Sequence, residues 1–525
     1  MRKVVDVASA VALIRSGSTV AVIGTGAVLE PDLLLRALEQ RFLETGEPRD
    51  LTVVCPMLPS DLSGTGGMNT FSHPGMLRRI IAGAYNKRRA PRLNEMILGN
   101  EVEAYNLGMG TILHLLRCVA GGSPGLLTDV GLGTYLDPRI EGGRLNAVTK
   151  EDLAEVITLG GREVLYYRPF PIDVAIIRGT AADDKGNISM EEEPNYLGAL
   201  TLAMAAKNSG GMVIAQVKRR VLADSLDVRL VKVPGILVDA IVVHSKQTQL
   251  SPQSYDAALG PNLAFSGGLR IPFDGARRLP LTDRKVIARR AAQELQLGDV
   301  VNIGVGLPAE VPLVALEEAC LERVTFTNEH GTIGGLPGTA YDTSFVVAAN
   351  PDAILDSACQ FDLYNGGGLN IAFLGLAQVD AQGNVNVSKF AGEVTGSGGF
   401  PHIVHRARRI VFCATFTSGG LETVVADGRL TILREGRIRK FVRAIEQLTF
   451  NAAQALANRQ EVLYVTERAV FRLGDQGLEL AEIAPGIDQE KDVLGQMEFR
   501  PRVSANLRAM SARLFQPEPM GLVLR

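Results

Sequence analysis

Ten consecutive residues, Phe326-Thr327-Asn328-Glu329-His330-Gly331-Thr332-Ile333-Gly334-Gly335, place a carboxylate where it could react. The run from Val324 to Thr327 is apolar and β-branched, a pattern that predicts a strand. It stops at Glu329, and a glycine-rich turn follows. In an open α/β sheet, ligands bind outside the carboxyl ends of the strands, which would stand Glu329 at the crevice. Gly331, Gly334 and Gly335 let the backbone come close to a bound molecule. A carboxylate presented in this way can serve as a nucleophile. Taken alone, the decamer reads better as a surface turn with an incidental glutamate, because short motifs have many false matches. The rest of the chain reverses that order.

The elements that would position Glu329 occur twice. Residues 17–33 read GSTVAVIGTGAVLEPDL, and residues 298–313 read GDVVNIGVGLPAEVPL. Gly24, Gly26, Glu30 and Leu33 fall on Gly304, Gly306, Glu310 and Leu313. Each copy predicts an apolar strand, a G-x-G turn and an apolar-periodic helix, the opening unit of an α/β domain. A second echo pairs residues 173–189 with 370–386, so that Asp183, Gly186 and Asn187 fall on Asp380, Gly383 and Asn384. Each of these copies predicts a buried strand and then an Asp-x-x-Gly-Asn turn whose glycine takes positive φ. Gly24 and Gly186 are 162 positions apart, whereas Gly304 and Gly383 are 79 apart. The surplus in the first half is expected within 60–150, a segment rich in glycine, proline and turns.

These echoes predict two related open α/β domains fused in tandem, over residues 1–275 and 282–525. Gly260-Pro261 and Pro272 to Pro280 break periodicity and mark a linker near 260–285. Thr282 to Glu294 predicts the helix that opens the second domain, with Thr282 or Asp283 as its N-cap. Neither G-x-G is followed by the third glycine of a dinucleotide fingerprint, so nicotinamide binding is disfavoured.

Composition narrows the function classes. The chain has 525 residues, too many for one ordinary core, and a net charge of -3 that argues against nucleic acid as a partner. The basic run Lys87-Arg88-Arg89-Ala90-Pro91-Arg92 reads as a solvated face, with contact to a phosphate-bearing ligand as the alternative. Five scattered cysteines contain no C-x-x-C pair and suggest neither a disulfide framework nor a zinc site. A reduced cytoplasm fits them best. Asp6 follows Met1-Arg2-Lys3, so no signal peptide is expected, and no apolar run approaches the ~18 residues of a membrane span.

Taken together, the segments resemble the class I coenzyme A transferases, and more narrowly the single-chain acetate/propionate CoA-transferase group, in which two related subunits are fused. The resemblance rests on Gly131 to Arg139 with Glu141 to Asn146, and on Arg178 to Glu191. In the second half it rests on Gly304 to Pro308, Asn328 to Gly331, Phe361 to Leu369 and Gly383 to Phe390. It implies two NagB/RpiA-like CoA-transferase domains and a nucleophilic glutamate matched by Glu329. It also implies an oxyanion contact at Gly399 with Gly398 as its neighbour, and an active-site asparagine matched by Asn384. Val305-Gly306 matches a loop that shifts when CoA binds. His330 stands where relatives often have a small residue, a departure that could alter the acid pocket.

The resemblance further implies ping-pong exchange of CoA between short-chain acyl-CoA thioesters and free carboxylic acids, and a homodimer or homotetramer. CoA would be a substrate, and neither a cofactor nor a metal would be needed. Gly366, Gly367 and Gly368 are expected to let the chain approach CoA, with a structural bend as the alternative. Phe361 and Tyr364 read as core. The Gly-Asn turn leaves Asn384 open to a second reading, as a turn-former bonded to its own backbone. A thioesterase on the same scaffold and a non-catalytic acyl-CoA sensor are the competing readings. Acid release without an acceptor marks the first, and binding without turnover marks the second.

Overall fold

The computed structural model describes residues 3–525 apart from 62, 251–254, 260–271 and 342–343. The expected break at Gly260-Pro261 lies outside the described residues. The chain forms two compact units that are not contiguous in sequence. The first comprises Met1–Ile271, Ile354–Phe361 and Gly392–Phe400, and the second comprises Pro272–Ala353, Asp362–Ala391 and Pro401–Arg525. Two short segments of the second half in sequence thus pack with the first unit.

The first unit is built on seven parallel strands. From one side they run Glu103–Asn106, Leu77–Ala82, Leu51–Cys55, Thr19–Val22, Val174–Ala182, Met212–Arg220 and Ala240–Val243. Every residue of Leu51–Cys55 and of Val174–Ala182 is buried. Their apolar side chains are covered on both faces, as parallel sheets require. The chain adds strands outward from Thr19–Val22 to Glu103–Asn106, then returns to place Val174–Ala182 on the other side. That reversal creates a switch point beside Thr19–Val22, where the backbone diverges and leaves a crevice.

The second unit repeats five of these strands, from Leu51–Cys55 to Ala240–Val243, in the same neighbour order: Thr325–Thr327, Val300–Ile303, Ile371–Gly375, Arg409–Cys413 and Glu461–Val465, all parallel. Antiparallel strands Ala469–Gly474 and Gly477–Ile483 extend its far side. The helix expected at its start spans Asp283–Ala292, with Thr282 at the N-cap position.

The surplus of the first half is more regular than its glycines and prolines suggest. Residues 60–150 contain strands Leu77–Ala82 and Glu103–Asn106 and helices Pro91–Leu98 and Met109–Ala120. Its extra length widens the parallel sheet by two strands, which helical crossovers connect. Among the described residues, no helix is long and apolar enough to cross a membrane.

The second echo is a pair of superposable turns. Asp183 Oδ1 accepts the Asn187 N–H at 2.8 Å, and Asn187 Nδ2 donates to Asp183 Oδ2 at 2.9 Å. Asp380 and Asn384 repeat both bonds at 2.9 Å. The first echo diverges at its glutamate. Glu310 is buried and bridged to Arg284 at 2.8 Å. Glu30 is equally buried, and among the described residues its Oε1 has no hydrogen-bond partner. Burial, reinforced by Asp61 and Asp32, raises the Glu30 carboxyl from 4.5 to about 7.

A carboxyl raised on folding binds its proton more tightly in the native state, so its stabilising effect is complete below pH 4.5 and disappears as pH rises through 7. Glu30→Gln is therefore expected to leave stability at pH 4.5 nearly unchanged and to raise it at pH 8, by roughly 3 kcal/mol for a shift of this size. Urea unfolding at the two pH values measures the difference. Equal effects at both would contradict the assignment.

Candidate functional site

Glu329 begins the turn beyond Thr325–Thr327, at the carboxyl edge of the second unit's sheet. A strand of only three residues needs anchoring beyond its ladder. Thr327 Oγ1 donates to the Val301 carbonyl at 2.9 Å and lies 2.8 Å from the Tyr364 hydroxyl. Asn302 Nδ2 donates to the same hydroxyl at 3.1 Å. Tyr364 is fully buried, and this lattice ties the end of the strand to its neighbour one turn before the carboxylate.

Asn328 then sets the direction of the chain. Its Nδ2 donates to the Phe345 carbonyl at 2.8 Å, and its Oδ1 accepts the His330 N–H at 2.8 Å. The same oxygen lies 2.6 Å from His330 Nδ1. A carboxamide oxygen only accepts, so this contact assigns a proton to Nδ1. His330 is buried, with its ring edge against Phe345. Its Nε2 is 4.0 Å from Glu329 Oε1, beyond hydrogen-bond distance. His330 thus braces Asn328. The Glu329 side chain between them keeps 12% of its surface exposed, enough for a reacting oxygen to reach solvent or ligand. The Gly334 N–H donates to the Phe326 carbonyl at 2.7 Å, and at φ +73 a Cβ there would strike the Asp352 carboxylate. Glycine is required for the turn to fold back onto its own strand.

Val305 and Gly306 end the neighbouring strand on the same edge. Val305 is 70% exposed, and Gly306 adopts φ +90 with open space around it. An apolar side chain held in solvent by an uncrowded glycine is suited to covering a ligand.

The structure shows local hydrogen bonding for four expected residues. Gly366, Gly367 and Gly368 terminate the helix Ser357–Asn365. The Gly368 N–H donates to the Leu363 carbonyl at 2.9 Å, and the Gly367 N–H donates to Tyr364 at 3.0 Å with φ +88. This is a Schellman stop, which satisfies the last helical carbonyls and gives the three glycines the structural bend that was the alternative to an approach to CoA. Asn384 commits an amide hydrogen to Asp380 and its oxygen to the Ala452 N–H at 2.9 Å. Asn187 does the same work in the first unit, where its oxygen accepts the Gly235 N–H at 2.8 Å. These duplicated bonds support the reading of Asn384 as a turn-former.

Gly398 and Gly399 belong to the first unit. The Gly398 N–H donates to the Gly83 carbonyl at 2.7 Å, and its own carbonyl accepts the Met109 N–H at 2.8 Å. Ser397 Oγ lies 2.6 Å from the Tyr135 hydroxyl, and the Ser397 N–H donates to Asn106 Oδ1 at 3.1 Å. Asn106 is fully buried; its Nδ2 donates to Ala82 and Gly83, and its Oδ1 accepts the Tyr135 hydroxyl at 2.7 Å. Gly399 is buried, and among the described residues its N–H has no hydrogen-bond acceptor. Sequence reasoning missed Asn106 and the anchoring role of Tyr135, although Tyr135 lies inside one of the segments that carried the resemblance.

Gly367→Ala separates the helix-stop reading from a ligand role. A Cβ there meets nothing within 4 Å. The expected cost is therefore the left-handed backbone alone, about 1 kcal/mol. Thermal denaturation should show that small loss while CoA affinity stays within twofold. A tenfold loss of affinity at unchanged stability would return the glycines to the binding site.

Comparison with known proteins identifies the family. The Coenzyme A transferase family model matches residues 4–244. Acetate CoA-transferase YdiF of Escherichia coli K12 is 40% identical over 522 residues, covering 99% of this chain and 96% of the relative. Caffeate CoA-transferase of Acetobacterium woodii is 41% identical over 536 residues, covering 99% of each. The crystal structure of the acyl-CoA transferase YdiF from E. coli O157:H7, a thioester complex with CoA, superposes with a TM-score of 0.93 at 39% identity, over 100% of this chain and 98% of that one. Over its whole length, with both α/β halves in place, this chain belongs to the coenzyme A transferase family.

Proposed function

We propose that this protein transfers CoA between short-chain acyl-CoA thioesters and free carboxylates, of the acetate or propionate type, through a γ-glutamyl-CoA thioester on Glu329. The observation that carries the reading is the placement of Glu329: a partly exposed carboxylate on a pinned turn at the carboxyl edge of a parallel sheet. The nearly full-length similarity to an acetate CoA-transferase supports it.

In this scheme a Glu329 oxygen attacks the thioester carbonyl. The carbon–sulfur bond breaks, CoA leaves as thiolate, and an acyl–glutamyl anhydride remains. The thiolate then attacks the glutamyl carbonyl, and the first acid departs as carboxylate. A second carboxylate reverses both steps. No proton is transferred, because the carboxylates enter and leave ionised.

Carboxylates are weak nucleophiles, so orientation must supply much of the rate, up to roughly 7–11 kcal/mol for well-aligned reactants. The Asn328 and Thr327 bonds serve that purpose by removing freedom from the turn. Each tetrahedral intermediate needs fixed donors, and loss of one typically costs ~3–4 kcal/mol. The Gly399 amide, which has no acceptor among the described residues, is our candidate donor. Val305 and Gly306 are our candidates for the loop that covers CoA.

Glu329→Ala should abolish exchange with little change in melting temperature. Glu329→Asp should lose at least a hundredfold in kcat, since retraction by one methylene spoils the attack geometry. Wild-type enzyme incubated with acetyl-CoA alone should carry a CoA adduct on the peptide containing Glu329. Mass spectrometry of active enzyme that finds no adduct, or finds it on another residue, would refute the mechanism. A panel of C2 to C6 acids, straight and hydroxylated, then identifies the acyl group.

A further inference from the structure

The basic run at residues 87–92 is not one solvated face. Lys87 Nζ pairs with Glu393 at 2.9 Å, and Arg92 pairs with Glu39 at 2.9 Å. Arg88 is exposed. Arg89 differs from all three. Its backbone is fixed, with its N–H donating to the Asn86 carbonyl at 3.0 Å and its carbonyl accepting Asn69 Nδ2 at 2.9 Å. Its side chain is half-buried, and among the described residues no carboxylate or carbonyl meets its guanidinium. Burial alone pulls that guanidinium below its ordinary value, with no acid to restore it. A cation withdrawn from water without a counter-charge is costly, and proteins keep such groups where a ligand supplies the missing charge.

Its position suits a ligand. Arg89 lies on the loop that leaves Leu77–Ala82, and its Nη1 lies so close over Gly26 that a Cβ there would collide with it. Gly26 lies on the loop that leaves Thr19–Val22. The two strands are parallel members of one sheet, so both loops emerge at its carboxyl edge. Open α/β sheets take their ligands on that edge. The duplicated turn in the second unit has no such cover among the described residues, none of which stands within 4 Å of a Cβ built at Gly306. The same G-x-G turn is therefore open in one unit and roofed by a lone guanidinium in the other. A guanidinium presents a planar fork of N–H donors that matches two oxygens of a carboxylate or phosphate.

We propose that Arg89, standing over Gly26, anchors an oxyanion subsite in the first unit and grips two anionic oxygens of a bound ligand in a bidentate fork. Naming the ligand, a free carboxylic acid or the phosphates of CoA, rests on the transfer reaction proposed above; the anion binding does not.

Binding to the resting protein tests this without turnover, and so independently of any adduct on Glu329. Acetate and propionate are titrated by ligand-observed NMR, and CoA and 3′-dephospho-CoA by calorimetry, against wild type, Arg89→Gln, Arg89→Lys and Gly26→Ala. Arg89→Gln is expected to weaken one ligand class at least fivefold. Arg89→Lys should recover only part of the loss, because it keeps the charge without the fork. Gly26→Ala should weaken the same ligand by displacing an intact Arg89. Loss confined to the acids identifies a carboxylate subsite. Loss with CoA but not with dephospho-CoA identifies the 3′-phosphate, and equal loss with both identifies the pyrophosphate. If Arg89→Gln and Gly26→Ala each bind all four ligands within fivefold of wild type, the proposal is overturned.

Discussion

The site depends on how a very short strand is held. Thr325–Thr327 contributes only three residues to the ladder, yet it must deliver Glu329 to a defined point. A parallel ladder fixes the backbone only as far as its last paired residue. Beyond Thr327 the side chains take over, with Tyr364 and Asn302 gripping Thr327 and Asn328 gripping the Phe345 carbonyl. These groups lie out of water, where hydrogen bonds are strong and an unmade one is costly, so the turn has few alternatives. Glu329 is left as the polar group that the scaffold orients while part of its surface stays open.

Duplication explains the framework, and divergence explains the sites. Both units share five parallel strands in one neighbour order and the same Asp-x-x-Gly-Asn turn, bond for bond. The differences lie at the carboxyl edges. Glu310 is bridged to Arg284, whereas Glu30 Oε1 has no hydrogen-bond partner among the described residues; Gly306 is open and Gly26 is covered by Arg89. Loops at that edge do not hold the sheet together, so they can diverge without loss of the fold. The inner strands cannot, because each buried residue is packed on both faces.

Gly392–Phe400 shows the limit of reading a chain as consecutive domains. It follows second-unit strands in sequence, yet Val394 packs in the first unit's core, and Gly396 is so close to Ala84 and Tyr85 that only glycine fits. Its bonds to Asn106, Tyr135 and Gly83 span up to 315 positions of sequence. No local pattern carries that information.

By itself the sequence determined the features that arise from local order. Alternation of apolar strands with helices, the two echoed turns, the helix near Thr282 and the glutamate at a strand end are all set by residues within about ten positions of one another, where backbone preference and periodicity act. The resemblance to CoA-transferases was legible for the same reason, since it rests on ordered short segments. Tertiary structure alone decided what those segments do. It made Gly366–Gly368 a helix stop and put Asn384 into a bonded turn, assigned His330 to bracing Asn328, and turned Arg89 inward while Lys87 and Arg92 found carboxylate partners. Each outcome depends on which distant carbonyl or carboxylate comes within about 3 Å, a distance set by chain packing and absent from any run of neighbouring residues.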